Sequence, residues 1–258
     1  MIDAISFAED TIEVERDQAE RLAARFRPDI YLHRLSPYFP IDVDAYMMHC
    51  DPPLWELQVQ GGRLKPNVEL LAHKQVTGRL SKVVHTLSRV HTATGRTITY
   101  FISLYSFQPD AKVCFCIPFS GSAHVADVEF VAVLAEADGT RVATFYSAHG
   151  STESQWVRAE AGVTTSPVYV ALDTHANYPT PGLKFRFWGF NIELADGGAQ
   201  PLDYEVKVLD ADHPWRHFQG SMGPDGIASL GNDGRLNLPG EATHSSATAA
   251  RRRFTRTS

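Results

Sequence analysis

The chain has little cysteine and no long apolar run. Its three cysteines among 258 residues are too few, and odd in number, for a disulfide framework, which favours a reducing compartment. No apolar run approaches the roughly 20 residues that span a bilayer. The opening MIDAISFAEDTIEVERD is acidic and lacks the apolar core of a secretion signal. These absences predict a cytoplasmic protein with no transmembrane segment.

Positive charge is also scarce. The chain has 24 Lys and Arg against 30 Asp and Glu, a formal net charge of −6, so nucleic acid is not expected as a partner. The exception is the C-terminal RRRFTRTS, residues 251–258, which we interpret as a basic tail after a single domain formed by residues 1–250. A solvated tail is the simpler interpretation, and a weak anchor to an anionic surface is the alternative. Oligomeric state is left open by the sequence.

Alternating β-branched and aromatic residues dominate the middle of the chain. Several of these runs are apolar at both parities, which is typical of strands covered on both faces. The pattern predicts an all-β fold, an antiparallel, jelly-roll-like β-sandwich, with a short N-terminal helix over residues 16–26 that stops before Pro28. The stretch 32–47, LHRLSPYFPIDVDAYM, contains Pro37 and Pro40 and is predicted to be irregular. The predicted strands are 97–107, 127–137, 141–149, 166–174, 183–194 and 204–210.

One predicted strand begins with an unusual polar group, the sequence HVADVEF. Asp127 and Glu129 point to one side of a strand, whereas His124 has the opposite parity and joins them only if it precedes the strand. The three residues then supply one nitrogen and two carboxylate donors. Because burial of two carboxylates is costly unless a positive group compensates, the sequence predicts either a wet face or a bound cation here.

Two further histidines follow neighbouring strands. His149 ends the next one, after an Asp138-Gly139 turn signal. A two-residue turn places His149 opposite Val128, on the wrong face. A three-residue loop with a left-handed Gly139 places it opposite Asp127, and this is the loop we expect. His175 follows the strand at 166–174, so three strands each deliver a histidine near one end.

Several segments together resemble the vacuolar protein sorting-associated protein sixty-two family, over about residues 26–223. They occur in the order FRPDIYLHRLSPYFPIDVDAYM, ITYFISLYSF, HVADVEFVAVLAEADGTRVATFYSAHG, SPVYVALDTHANYPTPG and PWRHFQGSMG. The central H-x-x-D-x-E also resembles the metal-binding centre of the necrosis- and ethylene-inducing-like proteins, β-sandwiches in which such residues hold a divalent cation used in binding membrane sugar lipids.

These resemblances imply a metal-ligand set of His124, Asp127 and Glu129, with His149 and His175 lining the site. The chain departs from the patterns in its packing residues. Ala126 replaces a glycine, Val128 and Met222 replace tryptophans, and Phe130 stands where the toxin-like relatives have histidine. The polar residues are thus kept while the pocket around them is reshaped.

Four functions remain open at this point. We favour narrowly an enzyme for a small-molecule substrate, of lyase, cyclase, isomerase or hydrolase type, with a divalent metal ion and with His149, His175 and Asp127 as catalytic groups. The mixed donors suit Zn²⁺, Mn²⁺ or Fe²⁺ better than Ca²⁺, and Mg²⁺ is also open. The second function is non-enzymatic, cation-assisted binding of a sugar or lipid headgroup. An iron/2-oxoglutarate oxygenase is disfavoured by the H-x-x-D spacing, and a purely hydrogen-bonded structural cluster is the fourth interpretation.

Overall fold

The structure is a computed structural model that describes most of the chain up to residue 217. The described residues are 11–50, 72, 79–110, 112–113, 117–118, 123–148, 154–160, 163, 165–186, 191–217 and 222. The tail predicted at 251–258 and the candidate site residue His149 lie outside them. No helix in this described part is long and apolar enough to cross a membrane.

The largest element is a seven-stranded sheet whose neighbouring strands run antiparallel, except for one parallel strand at its edge. In spatial order the strands are β1 (Thr11–Glu13), β3 (Val83–His91), β4 (Thr97–Gln108), β7 (His124–Ala135), β8 (Arg141–Tyr146) and β9 (Gln155–Arg158), and β14 (Glu205–Val208) pairs parallel with β3. The long central strands β4 and β7 carry the residues of both cores.

A smaller sheet lies against one face of the large one. It consists of β2 (Asp29–Leu32), β10 (Pro167–Val170) and β11 (Asn177–Tyr178), with β10 in the centre and β2 parallel to it. Two hairpins complete the described strands: β5 (Lys112–Val113) with β6 (Ile117–Pro118), and β12 (Gly182–Arg186) with β13 (Asn191–Ala195). The described helices are α1 (Arg16–Phe26), α2 (Val43–Met47) and α3 (Pro214–His217).

The large sheet is apolar on both faces because both faces are covered. On one face Ile102 and Leu104 pack in a core with residues of α2 and α3, including Trp215. On the other face Phe101 and Val131 pack in a second core with residues of α1 and of the smaller sheet. The predicted all-β sandwich with a short N-terminal helix is therefore confirmed.

The hairpin between β7 and β8 forms the predicted loop but not the predicted register. The backbone N–H of Gly139 donates to Glu136 O at 2.8 Å, and Gly139 is left-handed at φ +80°. A bulge next to Ala135 then shifts the pairing, so that Val131 lies opposite Tyr146. The described pairs from Val131–Tyr146 to Leu134–Ala143 are therefore one position out of the expected register. The pairing of His149 with Asp127 lies outside the described residues and stays a prediction.

Two other segments differ from the sequence prediction. The run 183–194 was expected to be one strand but forms β12 and β13, because alternation does not show where a strand reverses. The proline-containing stretch 32–47 was expected to be irregular, yet it begins with the last residue of β2 and ends in α2. The prolines lie outside both elements, and the Asp42 side chain caps α2 by accepting from the backbone N–H of Asp44 at 3.1 Å.

The assignment of Leu104 to the core predicts a large cost of truncation. Its side chain is 0% exposed, so we expect Leu104→Ala to lower the free energy of unfolding by about 2–5 kcal/mol. The matched change Leu35→Ala, at a leucine that is 63% exposed, is expected to cost less than about 0.5 kcal/mol. Urea unfolding followed by tryptophan fluorescence measures both, and equal losses would contradict the assignment.

Candidate functional site

The pairing of β4 with β7 brings polar residues together on the face that the smaller sheet covers. Tyr105 lies opposite Asp127, and Ser103 lies opposite Glu129. Residues directly opposite each other in an antiparallel pair share a face. Tyr105 packs in the core shared with the smaller sheet, so both carboxylates point towards the space between the sheets, as the alternation predicted.

His175 joins this group from the loop between β10 and β11. Its Nδ1 lies 2.9 Å from Asp127 Oδ2, and because an ionised carboxylate only accepts, Nδ1 carries the proton and donates it. The imidazole is 0% exposed. Its ring stacks on Tyr105, with centroids 3.9 Å apart and an interplanar angle of 3°. The Tyr38 ring packs against it in a T-shaped arrangement, with ring centroids 6.4 Å apart.

His124 reaches the same carboxylate because the strand is distorted at Ala126. Ala126 has φ +61°, which interrupts the alternation of side chains. Val125 consequently packs in the same core as Val128, although their parities differ, and His124 turns towards Asp127. The distance from His124 Nε2 to Asp127 Oδ1 is 3.7 Å. The expectation that His124 precedes the strand is wrong: it lies within β7, and the backbone at Ala126 redirects it.

Left-handed backbone is concentrated at this cluster. Among the described residues, the non-glycine positions with positive φ are Ala126 at 61°, Asp173 at 69° and His175 at 56°. A side chain with a Cβ pays roughly 1–2 kcal/mol for this conformation. All three lie within two residues of Asp127 or His175. Strain that persists in one place in this way is characteristic of binding and catalytic sites.

The Asp127 carboxylate stays ionised despite its burial. Burial alone would raise the pKa of Asp127, but the interactions with His124 and His175 outweigh it and hold the pKa well below its usual range. The neighbouring Tyr105 behaves in the opposite way: burial, followed by the negative charge of Asp127, raises the pKa of its hydroxyl far above the ordinary value. The site is therefore an anion beside a neutral phenol.

Glu129 is held by a residue that the sequence analysis did not select. The Ser147 hydroxyl donates to Glu129 Oε2 and accepts from the backbone N–H of Phe130 at 2.8 Å. Asn177 Nδ2 lies 3.3 Å from the same hydroxyl oxygen. Alternation in the sequence does not mark Ser147 or Asn177, because each meets Glu129 or its hydrogen-bond partner only through contacts between segments distant in sequence.

Two buried polar atoms of the cluster have no hydrogen-bond partner among the described residues. They are His175 Nε2 and the Tyr105 hydroxyl oxygen. Burial of a polar atom without a partner costs roughly 1–3 kcal/mol. The cluster therefore has hydrogen-bonding capacity left over.

The described side chains do not assemble a metal centre. No three His, Cys, Asp or Glu residues are grouped as ligands in the part of the chain that the structure describes, since Ser147 engages Glu129 and His175 engages Asp127. The ligand set His124, Asp127 and Glu129 stays a prediction, as does the role of His149.

No family model and no curated protein matches the chain, and the resemblance to the vacuolar protein sorting family finds no support. Among solved structures, NLPPya in complex with mannosamine is 14% identical, with a TM-score of 0.38 over 83% of this chain and 80% of that one. NLPPya in complex with glucosamine is 16% identical, with a TM-score of 0.37 over the same shares. Necrosis and ethylene inducing protein 2, from the agent of witches' broom disease of cocoa, is 15% identical, with a TM-score of 0.36 over 77% and 76%. These structures are of the necrosis- and ethylene-inducing-like type that the central H-x-x-D-x-E resembles. At such low sequence identities and TM-scores, the likeness assigns no function to this chain.

The distortion at Ala126 predicts an unusual response to glycine. Ala126 and Ala132 are both 0% exposed, lie in β7 and pack in the same core. Ala132→Gly should lower the free energy of unfolding by about 1 kcal/mol or more, through lost contacts and the entropy of glycine. In Ala126→Gly the relief of left-handed strain offsets this cost, so its loss should be smaller by about 1 kcal/mol. Equal losses in urea unfolding would argue against the strain.

The lowered pKa of Asp127 predicts a pH-dependent contribution to stability. A group whose folded pKa is depressed contributes stability above its unfolded pKa, about 3.9, and loses it as the pH falls towards the folded pKa. Asp127→Asn should thus cost about 1.5–3 kcal/mol at neutral pH, and its difference from wild type should shrink below about pH 4. The exposed Asp203→Asn is the control. Urea unfolding across this pH range measures the difference, and a constant gap would contradict the assignment.

Proposed function

We propose that the protein is a non-enzymatic binding module for a small polar ligand that carries positive charge, such as an amino sugar or an amine-containing lipid headgroup. The observation that carries the proposal is the pair of carboxylates, Asp127 and Glu129, on one face at the end of β7. Asp127 is ionised there, and no lysine or arginine among the described residues forms an ion pair with it. A ligand cation would supply the balancing charge.

The exposure of the side chains gives the direction from which a ligand would approach. The His124 side chain is 15% exposed, that of Asp127 is 9% exposed, and that of His175 is 0% exposed. The cluster thus opens to solvent at His124 and is closed at His175. A ligand would meet His124 and the Asp127 carboxylate first, while His175 holds that carboxylate from behind.

The strained backbone also supports a binding role. The left-handed residues Ala126 and His175 hold their neighbours in one arrangement before any ligand arrives. A site that is ordered in advance does not pay for ordering its side chains on binding. The strain is then a cost of folding that improves affinity.

A divalent ion is the alternative source of positive charge. His124, Asp127 and Glu129 are the donors that would hold it, with Zn²⁺, Mn²⁺, Fe²⁺, Mg²⁺ or Ca²⁺ as the predicted cofactor. When bound, such an ion would supply a positive charge for the hydroxyl groups of a neutral sugar. The ligand's own ammonium group and a bound ion are two sources of the same positive charge. Binding measured with and without a chelator distinguishes them.

One observation favours an acid–base enzyme as the second candidate. His175 donates from Nδ1 to Asp127, and its Nε2 has no partner among the described residues, an arrangement that suits a general base. A base must lie within hydrogen-bonding reach of its substrate, however, and His175 is fully buried. Its position therefore favours binding over turnover.

The expected cytoplasmic location stays a prediction. Cys50, the cysteine among the described residues, is free and buried, and burial raises the pKa of its thiol to about 12. Such a thiol is protonated and unreactive at neutral pH.

Titration calorimetry with paired sugars tests the proposal. Glucosamine and mannosamine should bind at least about tenfold more tightly than glucose and mannose, because only the amino sugars present a charge-assisted hydrogen bond to the carboxylates. Asp127→Asn and Glu129→Gln should each weaken amino-sugar binding by about tenfold or more, whereas the exposed Asp203→Asn should leave it unchanged.

The other interpretations give different results in the same series. Equal binding of glucose and glucosamine that a chelator abolishes, with metal lost from Asp127→Asn by elemental analysis, would replace the ligand cation by a metal ion. Conversion of a bound sugar to product would establish an enzyme. An intact fold that binds none of these ligands would reduce the cluster to a structural network.

A further inference from the structure

The short helix α3 is held against the large sheet by a buried tryptophan. Trp215 is 0% exposed and packs in the core that contains Ile102 and Leu104. Its ring lies against the imidazole of His85 in a T-shaped arrangement, with ring centroids 5.3 Å apart. His85, on β3, is also 0% exposed. The docking of α3 therefore buries a histidine beneath the tryptophan.

His85 has a partner for only one of its two ring nitrogens. Its Nε2 lies 3.2 Å from Asp42 Oδ1, and because an ionised carboxylate only accepts, Nε2 carries the proton. The backbone N–H of Val43 approaches the same nitrogen at the longer distance of 3.4 Å. Nδ1 has no hydrogen-bond partner among the described residues, and neither has the indole Nε1 of Trp215. A second proton on the His85 ring would thus create a charged N–H group that is buried without an acceptor.

A second histidine also holds α3 in a way that requires a neutral ring. His213 Nδ1 accepts from the backbone N–H of Trp215 at 3.2 Å, so this nitrogen carries no proton. The proton is on Nε2, which lies 3.4 Å from Asp44 Oδ1 on α2. An imidazole with protons on both nitrogens cannot accept. Protonation of His213 would therefore break its hydrogen bond to the first turn of α3.

The charged groups around these two rings can balance one added proton but not two. Among the described residues they are Asp42 and Asp44 on α2 and Lys207 on β14, and the Lys207 ammonium group contacts both carboxylates, at 3.1 and 2.8 Å. The Arg216 side chain on α3 instead donates to Glu13, in two contacts of 2.6 Å. With neutral histidines, two carboxylates face one ammonium group. With both histidines protonated, three cations would face two anions.

The burial of His85 gives the direction of the pH effect. Burial lowers the pKa of His85, although the hydrogen bond to Asp42 opposes the shift. The ordinary pKa of histidine, about 6.5, applies once the ring is released to solvent. The released state then binds the proton more readily than the docked state. The docked state consequently loses stability relative to the released state as the pH falls below about 6.5.

We propose that His85 and His213 form an acid-sensitive latch, which holds α3 on the large sheet when both rings are neutral and releases it when both are protonated. Release would withdraw Trp215 from its core, so the protein would present in an acidic environment an apolar surface that it covers at neutral pH. The inference rests on the contacts of α3 and does not depend on the ligand proposed for Asp127.

Hydrogen exchange of the full chain, measured by mass spectrometry and corrected for the intrinsic effect of pH, tests the proposal. Between about pH 7.5 and about pH 5, the protection of the Trp215 and Arg216 amides should fall by about tenfold or more, because protonation opposes docking. The amides of the central strand β4 should keep their protection over the same range, because the latch opens without unfolding the sheet.

Two substitutions remove the titrating rings and keep their contacts. His85→Gln stays neutral and keeps an N–H donor, and His213→Asn keeps an oxygen acceptor for the Trp215 N–H. In the double variant the protection of α3 should not change across this pH range. If His85→Gln does not fold, His213→Asn alone, at a half-buried residue, should still reduce the response. The matched control is His49→Gln, which removes a half-buried histidine bonded to Ala45 O and should respond to pH as the wild type does.

Three results would overturn the proposal. The first is unchanged protection of α3 at acid pH in the wild type. The second is a pH response of wild-type size in the double variant, or in His213→Asn where the double variant does not fold. The third is an equal loss of protection in α3 and β4, since acid would then unfold the whole domain instead of opening a latch.

Discussion

The antiparallel pairing of β4 with β7 is the constraint from which the two cores and the polar cluster follow. Its register runs from Thr97 opposite Ala135 to Gln108 opposite His124. Because side chains alternate, a slip of one residue would exchange the two apolar faces and carry Asp127 into the opposite core. The same register sets Tyr105 beside Asp127, so the polar cluster is specified by the packing of apolar residues along the rest of the two strands.

The fold places an aspartate next to a histidine in two places, at half-buried Asp42 and at buried Asp127, and the two differ in their other partners. Asp42 accepts from His85 and from Lys207, at 3.2 and 3.1 Å, and these partners lower its pKa although burial opposes the shift. That cluster contains its own cation. At Asp127 the partners within the described residues are histidines. The charge of Asp42 is thus balanced by a lysine within the fold, whereas no lysine or arginine among the described residues pairs with Asp127.

Alternation of apolar and polar residues in the sequence predicted those strands and strand faces that depend on local pattern alone. It gave β4 and β8 near their observed bounds, and it gave Asp127 and Glu129 a common face. The approach of His124 could not be predicted, because it depends on a left-handed residue at Ala126, where alanine gives no sign of it. The role of Ser147 depends on a bulge that resets the register of β8. The reversal within 183–194 and the pairing of β2 with β10 are set by tertiary contacts that no local window contains.

The parallel pairing of β2 with β10 has a consequence for synthesis on the ribosome. Residues 29–32 find their partner only when residues 167–170 have emerged, more than a hundred residues later. At about 5–20 residues per second this delay is on the order of ten seconds. Throughout it the nascent N-terminal segment carries an unpaired strand edge, and Ile30 lacks the core that will bury it. Since His175 follows β10 along the chain, the polar cluster is also completed late, so the growing chain exposes this apolar surface until β10 has emerged.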